Sequence, residues 1–474
     1  MNKPPALVVD LDGTLVRSDL LGESYLEYLR RQPLSGLRPF LWLRDGRASM
    51  KARLAKVSHP DIETLPYEHA VMAQLRTARE SGRETVLATA SDRQLAQRVA
   101  DHLGLFDRIL ASEPGNNLKG AAKAAALVKL YGERGFDYAG DSAADLPVWA
   151  TCHTAFAVNP GRGVYRRLLT IRPDAILVGR DGADLPAAWR ALRPHHWLKN
   201  LLLFAPLVAS HRILDDNLLG EGILAFLCFC LCTSAVYLIN DLIDLPLDRR
   251  HAEKCHRPLA AGDLPLWTAV ALILLGLSIA FTTAALLLPA GFTLAMLVYF
   301  TLTALYSLWA KRIAIVDIVF LVVLYTLRVV AGALALEIEA STWIIALVGF
   351  MFLSLSLLKR YAELHAVRRS GSHEIQGRAY TIDDMELVAG LGASSGYIAV
   401  LVLALYIADP TSEMLYEAPG WLWGACAVTL FWISYMWLLA RRGQIPQDPV
   451  MFAVTDPRSL LSAGLLCLLM WLAA

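Results

Sequence analysis

The chain has only seven cysteines among 474 residues, too few and too scattered for a disulfide framework. Cys228, Cys230 and Cys232 fall inside one apolar run, and Cys152, Cys255, Cys426 and Cys467 stand apart, so all read as small hydrophobes. His251, Cys255 and His256 crowd together but lack a fourth ligand at the spacing a structural zinc site needs. A net charge of +1 excludes an overall basic field for nucleic acid. No secretory leader is expected, because Asp10 and Asp12 follow the first apolar run directly, which predicts a cytoplasmic N-terminus. Charge itself is scarce at 18%, and it crowds into roughly the first 200 positions.

What is abundant is apolar, at 56% of residues, and its uneven distribution predicts two units. In the N-terminal part, Ala6 to Asp10, Thr85 to Thr89, Phe136 to Gly140, Thr154 to Val158 and Ala175 to Val178 read as buried strands. Helical stretches such as Asp92 to Leu103 and Gly120 to Tyr131 lie between them. That alternation predicts a doubly wound parallel sheet, whose ligands gather at strand carboxyl ends, where Asp10, Thr89 and Asp141 fall. A helical insertion over about 20–83 reads as a cap. Its Phe40 to Leu43, set among Arg38, Arg44, Arg47, Lys51 and Arg53, suits either a solvated helix or a rest on anionic headgroups. The expected domains are 1–185 and 186–474, joined near Gly179 to Arg193.

Beyond Trp197 nine apolar stretches follow, near 198–210, 218–239, 266–288, 291–309, 314–336, 341–358, 386–407, 420–440 and 459–473. Most approach the roughly 20 residues a helix needs to cross hydrocarbon, so this part is expected to be an all-α polytopic membrane bundle. Basic residues from Arg249 to Arg458 crowd one set of loops. The opposite set carries Arg212 and the acidic Asp409, Glu413 and Glu417. The positive-inside rule then places the N-terminal domain and the basic loops on one cytoplasmic face, as in a bacterial inner-membrane protein.

Asp10-Leu11-Asp12-Gly13-Thr14 follows a strand, and Gly13 lets the chain turn so that two carboxylates share a pocket. With Thr89, Lys119 and Gly140-Asp141-Ser142-Ala143-Ala144-Asp145 in order, the first 180 residues or so resemble the haloacid dehalogenase (HAD) superfamily. The resemblance implies that Asp10 is a nucleophile forming an aspartyl phosphate and that Asp12 is the general acid. It implies that Thr89 and Lys119 hold phosphoryl oxygens, with Ser91 a substitute for Thr89. Asp141, with Asp10 and Asp12, would hold Mg²⁺, and Asp145 would support that shell.

At the end of the second apolar stretch stand Asn240, Asp241, Asp244 and Asp248, followed by Arg249, Arg250, Lys254 and Arg257. Three acids at i, i+3 and i+7 repel one another unless a cation joins them, and Mg²⁺ bridging to a diphosphate satisfies that need. Pro246 is expected to end or kink the helix within the motif. The stretch, with Arg257-Pro258-Leu-Ala-Ala-Gly262, resembles the NDxxDxxxD motif of UbiA-type prenyltransferases over about 190–474.

Where aromatic prenyltransferases of that family carry a second acidic motif, this chain has Lys359-Arg360-Tyr361-Ala362-Glu363. Together with Arg193 to Asn200, Tyr306 and Lys311, this is similar to the decaprenyl-phosphate phosphoribosyltransferase branch. That resemblance implies phosphoribosyl pyrophosphate as donor and a polyprenyl phosphate as acceptor. Asp241, Asp244 and Asp248 would hold Mg²⁺ and pyrophosphate, with Asn240, Arg249, Lys254, Arg257, Lys199, Tyr306, Lys311, Lys359 and Arg360 at the phosphates. The HAD domain would dephosphorylate the lipid-linked product. Two other readings are open at this point: a prenyltransferase for an aromatic or other acceptor with an independent phosphatase, and an ion-coupled carrier with a regulatory domain.

Overall fold

The computed structural model describes residues 4–473 except 33–34, 37, 114–116, 180–183, 213–214, 372, 376–377, 411–413 and 447. Part of the expected linker, 180–183, and the acidic Glu413 lie outside the described residues. The chain forms two compact units, Met1–Leu192 with Tyr237–Ile273, and Arg193–Val236 with Leu274–Ala474. The acidic motif segment 237–273 therefore belongs with the N-terminal unit.

That unit is built on a six-stranded sheet of order β3-β2-β1-β4-β5-β6. The strands are β1 (Ala6–Val9), β2 (Thr85–Asp92), β3 (Arg108–Ser112), β4 (Phe136–Gly140), β5 (Ala155–Val158) and β6 (Ile176–Val178), all paired in parallel. The β-branched, wholly buried β1 lies between β2 and β4, with Val8 opposite both Val86 and Tyr138. Strand order reverses beside β1, so the loops after β1 and β4 flank a crevice at their carboxyl ends.

Between β1 and β2 run three longer helices, α1 (Leu20–Arg31), α2 (Arg47–Val57) and α3 (His69–Glu80). The expected cap thus ends earlier than 83. Val71, Leu75 and Ala78 of α3 bury in the same core as Leu7 and Val9, which makes α3 the crossover helix that parallel strands require. Two further helices, α4 (Arg93–Leu103) and α5 (Ala121–Tyr131), match the sequence expectation closely.

The membrane helices are α6 (Asp216–Ile243), α8 (Leu266–Leu287), α9 (Ala290–Leu308), α10 (Val316–Ala335), α11 (Thr342–Arg369), α12 (Met385–Ala408) and α13 (Leu422–Arg441), with the six-residue α7 (Leu245–Arg250) after α6. Among the described residues these seven longer helices are the ones long and apolar enough to cross a membrane. Nine spans were expected, and the two short stretches account for the difference. Residues 198–210 form a 3-10 helix, Pro194–Phe204, followed by the five-residue helix Ala205–Ala209, whose first turn holds Pro206. The last stretch is α14 (Pro457–Ala473), 17 residues and hence about 26 Å long, short of a full hydrocarbon crossing.

Pro246 breaks the motif helix as expected. Having no N–H, it leaves the Leu242 carbonyl without its partner four residues on, and Arg30 Nη2 of α1 donates to that oxygen at 3.2 Å. Asp244 caps the short α7 that carries Asp248.

Candidate active sites

Asp10 leaves the end of β1, and its backbone N–H still donates to Ala139 of β4 at 3.0 Å. Gly13 turns the following loop at φ +77°, and a Cβ there would collide with the Asp141 carboxylate. Only glycine serves both demands. The loop after β4 supplies Asp141 and Asp145, and carboxylate oxygens of Asp10, Asp141 and Asp145 lie within 4.8 Å of one another.

Lys123 of α5 faces this cluster, with Nζ 3.0 Å from Asp10 Oδ2 and 3.5 Å from Asp145 Oδ1. Lys119, the lysine expected here, is exposed and precedes Gly120 at the start of α5; Lys123, four residues on and within the helix, is buried. Asp145 already accepts from Tyr138 Oη at 2.6 Å and from Ser142 Oγ at 2.9 Å, so it braces the site. Asp141 accepts from Thr14 Oγ1 at 3.3 Å.

Asp12 accepts the Leu20 N–H at the start of α1 at 2.8 Å and the Ser91 hydroxyl at 2.5 Å. Thr89 is fully buried, and its Oγ1 accepts the Ser91 N–H at 2.9 Å. Ser91 is therefore the hydroxyl that reaches a catalytic candidate. A small cavity beside it, lined by Ser24, Lys51, Leu54 and Leu95, opens between the cap helices and β2.

Electrostatics describe a site short of positive charge. Burial, opposed by Lys123, raises Asp10 to about 7, and burial with Asp19 nearby raises Asp12 to about 6. Asp141 is pushed well above the usual carboxylate range by burial and by Asp10. Burial pulls Lys123 down, but Asp10 and Asp145 outweigh it and hold the ammonium above its ordinary value. Four acids beside one ammonium, all offering oxygen, fit a small divalent cation such as Mg²⁺.

A second acidic group lies in the segment 237–273. Arg257 Nη1 bridges Asp241 Oδ1 at 3.1 Å and Asp248 Oδ2 at 2.6 Å, and both acids are buried. Asp244, between them in sequence, donates its N–H to the Asn240 carbonyl at 2.8 Å. Lys254 opens a 3-10 turn on the way to Arg257. Unlike Asp10, Asp141 and Asp145, the carboxylates of Asp241, Asp244 and Asp248 do not close into one metal-ligand group among the described residues; Asp241 and Asp248 share the guanidinium of Arg257 as their resident cation. Arg249 is turned elsewhere: Nη1 and Nη2 donate to Glu23 and Nε to the Ala260 carbonyl. Among the described residues, His251, Cys255 and His256 form no metal-ligand group.

In the second unit, Arg360 is wholly buried on α11 and donates to Asp317 at 2.7 Å, Glu363 at 2.5 Å and Tyr306 at 3.4 Å. Arg378 shares all three partners, and Tyr380 donates to Asp317 at 2.7 Å. Arg360 thus organises this cluster instead of facing solvent. Lys359 beside it makes no hydrogen bond or ion pair with a described residue. Lys199 pairs with Asp448 at 2.6 Å, and Lys311 lies in the 3-10 turn Ala310–Arg312. Asp317, Arg378, Tyr380 and Asp448 were not singled out from sequence. An acid inside an apolar span was the signal for Asp317.

The comparisons with known proteins assign 237–273 by sequence to the second of two families, although the segment packs with the first unit. Residues 7–149 match the haloacid dehalogenase-like hydrolase model, and residues 201–473 match that of the UbiA prenyltransferase family. A Sinorhizobium fredii protein, y4nM, described as uncharacterised, is 36% identical over 96% of this chain and 88% of its own length. The nodulation protein NoeC of Azorhizobium caulinodans is 37% identical over 57% of this chain and 87% of its own. The decaprenyl-phosphate phosphoribosyltransferase of Mycolicibacterium smegmatis is 31% identical over 56% of this chain and 86% of its own. An integral membrane protein with a HAD-like domain at its N-terminus, the chain belongs to the UbiA prenyltransferase family.

Proposed function

We propose that the chain transfers phosphoribose from phosphoribosyl pyrophosphate to a polyprenyl phosphate and then removes the 5-phosphate from the lipid-linked product at its HAD site. The observation that carries this reading is the cationic cluster at the end of α11. Arg360 and Arg378 pair with two acids, Asp317 and Glu363, and the neighbouring Lys359 adds a surplus positive charge where a second carboxylate pair would hold a prenyl diphosphate. A surplus of that sign suits a lipid monophosphate. The relative named decaprenyl-phosphate phosphoribosyltransferase supports the same donor and acceptor.

In this reading Asp241, Asp244 and Asp248 would hold Mg²⁺, which when bound would neutralise the charge of the leaving group. Asn240, Lys254 and Arg257 orient the diphosphate, and Arg257 passes from its two carboxylates to phosphate oxygens. Lys359 holds the acceptor phosphate, with Lys199, Lys311 and Tyr306 contributing, and Arg360 keeps that surface in place. The acceptor oxygen attacks the anomeric carbon as the bond to pyrophosphate breaks.

At the HAD site Asp10 attacks phosphorus, and the leaving alkoxide takes its proton from Asp12 as the bond to phosphorus breaks. Water then attacks the aspartyl phosphate, returns a proton to Asp12 and releases phosphate. Burial lifts both acids, while the first step uses Asp12 protonated and Asp10 ionised; Lys123 lowers Asp10 towards that state. Lys123 stabilises Asp10 and the phosphoryl oxygens, with Ser91 and Thr89 ordering the far side. Both sites act at the cytoplasmic face, where the basic loops gather.

The test supplies the purified full-length chain with Mg²⁺, phosphoribosyl pyrophosphate and a polyprenyl phosphate, and follows the lipid. Asp244→Ala should stop transfer, and Asp10→Asn should permit it while a phosphorylated lipid accumulates. Consumption of a prenyl diphosphate with an aromatic acceptor, and none of these substrates, would overturn the assignment.

A further inference from the structure

The short helix α7 carries Asp248 and Arg249 at successive positions, and the break at Pro246 separates it from the rigidity of α6. Contacts from the phosphatase cap hold the surrounding segment instead. Arg249 Nη2 and Nη1 donate to Glu23 Oε1 at 2.6 Å and Oε2 at 3.1 Å, a two-point pairing in which both side chains are buried. Ser18 Oγ adds a hydrogen bond to Glu23 at 2.5 Å. Arg250 donates to Asp61 at 2.5 Å.

The returning half of the segment is held in the same way. Arg17 and Arg190 donate to Asp263 at 3.4 and 2.9 Å, and Trp267 Nε1 donates to Asp19 at 3.0 Å while its ring stacks on Tyr25. Gly262, at φ +74°, lies so close to Arg17 that a side chain there would collide. The first arm of the acidic segment is therefore fastened to the cap, and the second to residues of the same N-terminal unit in the cap and on either side of it.

We infer that Glu23, a residue of the phosphatase cap, is a positioning residue for the transfer site: it fixes Arg249 and through α7 places Asp248 against Asp241. The inference rests on the transferase reading above. Arg249 is then a strut and not a diphosphate ligand. For Arg249 to turn to phosphate, Glu23 would be left buried without its counter-charge, an unfavourable exchange. Because α1 also donates the Leu20 N–H to Asp12, the same helix supports both active sites.

The experiment measures Mn²⁺ affinity in the presence of pyrophosphate by electron paramagnetic resonance. It uses the full-length chain carrying Asp141→Asn, so that the phosphatase site does not compete. Glu23→Gln should weaken Mn²⁺ binding roughly 10–100-fold, the range for partners that orient metal ligands. In the enzyme with Asp141 restored, it should raise KM for the magnesium–donor complex more than it lowers kcat. The exchanged pair Glu23→Arg with Arg249→Glu should recover most of the Mn²⁺ affinity lost by either single change. Unchanged affinity in Glu23→Gln would overturn the inference. So would an exchanged pair no better than Arg249→Glu alone while Arg249→Lys binds normally, since Arg249 would then be a ligand. Should the protein show this Mn²⁺ pattern yet transfer no phosphoribose, the donor assignment fails and the positioning role stands.

Discussion

Replacing Lys123 with methionine removes the ammonium that lies 3.0 Å from Asp10 and 3.5 Å from Asp145 and donates to Tyr138. Breaking a buried ion pair from one side costs about 3–5 kcal/mol when the remaining charge stays ionised. Here it need not stay ionised, because Asp10 is raised to about 7 from an ordinary value of 3.8 and can take a proton near neutrality. A carboxylate whose folded pKa exceeds its unfolded one loses stability as pH rises through the interval between them. Loss of Lys123 pushes the upper end of that interval higher. The deficit should be smaller at pH 5, where Asp10 is protonated and only the contacts to Asp145 and Tyr138 are lost, than at pH 8, where it should reach about 3 kcal/mol, the lower end of the range because protonation relieves part of the charge. Thermal denaturation of the full-length chain, without added metal, measures the difference. Hydrolysis of p-nitrophenyl phosphate with Mg²⁺ should fall sharply, with its acid limb moved to higher pH because Asp10 must be ionised to attack. Lys119→Ala alters an exposed side chain and should leave the melting curves unchanged. A stability difference that does not depend on pH, or greater phosphatase loss from Lys119→Ala than from Lys123→Met, would refute the reasoning.

Burial raises Asp10, Asp12 and Asp141 together, so in chelator the melting temperature should decline from pH 5 to pH 8; Mg²⁺ should reverse most of that decline, and equal slopes with and without the ion would count against a cation site. Gly13→Ala, strained at φ +77° and in collision with Asp141, should destabilise the chain by about 1–3 kcal/mol and abolish phosphatase turnover, read by melting and p-nitrophenyl phosphate hydrolysis. Arg360→Lys loses the planar fork that spans Asp317 and Glu363 and should cost about 1.5–3 kcal/mol in a melting assay. Lys359→Met should instead leave the melt alone and raise KM for the polyprenyl phosphate about tenfold, since one charge-assisted contact is lost.

Features that repeat along the chain were readable before the structure. Short apolar or mixed runs announced β1, β2, β4, β5 and β6, although β6 proves largely exposed at the sheet edge, and apolar length announced the seven long membrane helices. The strand that was missed, β3, lies at the sheet edge and begins with the exposed Arg108, so its five residues do not form an apolar run. Residues 198–210 have the composition of a span but not its geometry, because local prolines favour short helical pieces over one long helix.

Side-chain partners are a different kind of information. Asp10, Asp141 and Asp145 converge because the parallel sheet returns each loop to the same edge. No such periodicity links Arg249 to Glu23, which is separated from it by 226 positions. Arg249 stands beside three acids and three other basic residues, and sequence neighbourhood alone makes it a phosphate ligand. Its use as a strut follows from an acid on the cap helix that no local pattern connects to the motif. The same holds for Lys123, where the order of motifs favours Lys119, which precedes the helix, and only the packing of α5 decides which ammonium reaches Asp10. Spacing names the carboxylates that a cation must join; long-range packing decides which neighbouring cations are free to meet a substrate and which already hold the protein together.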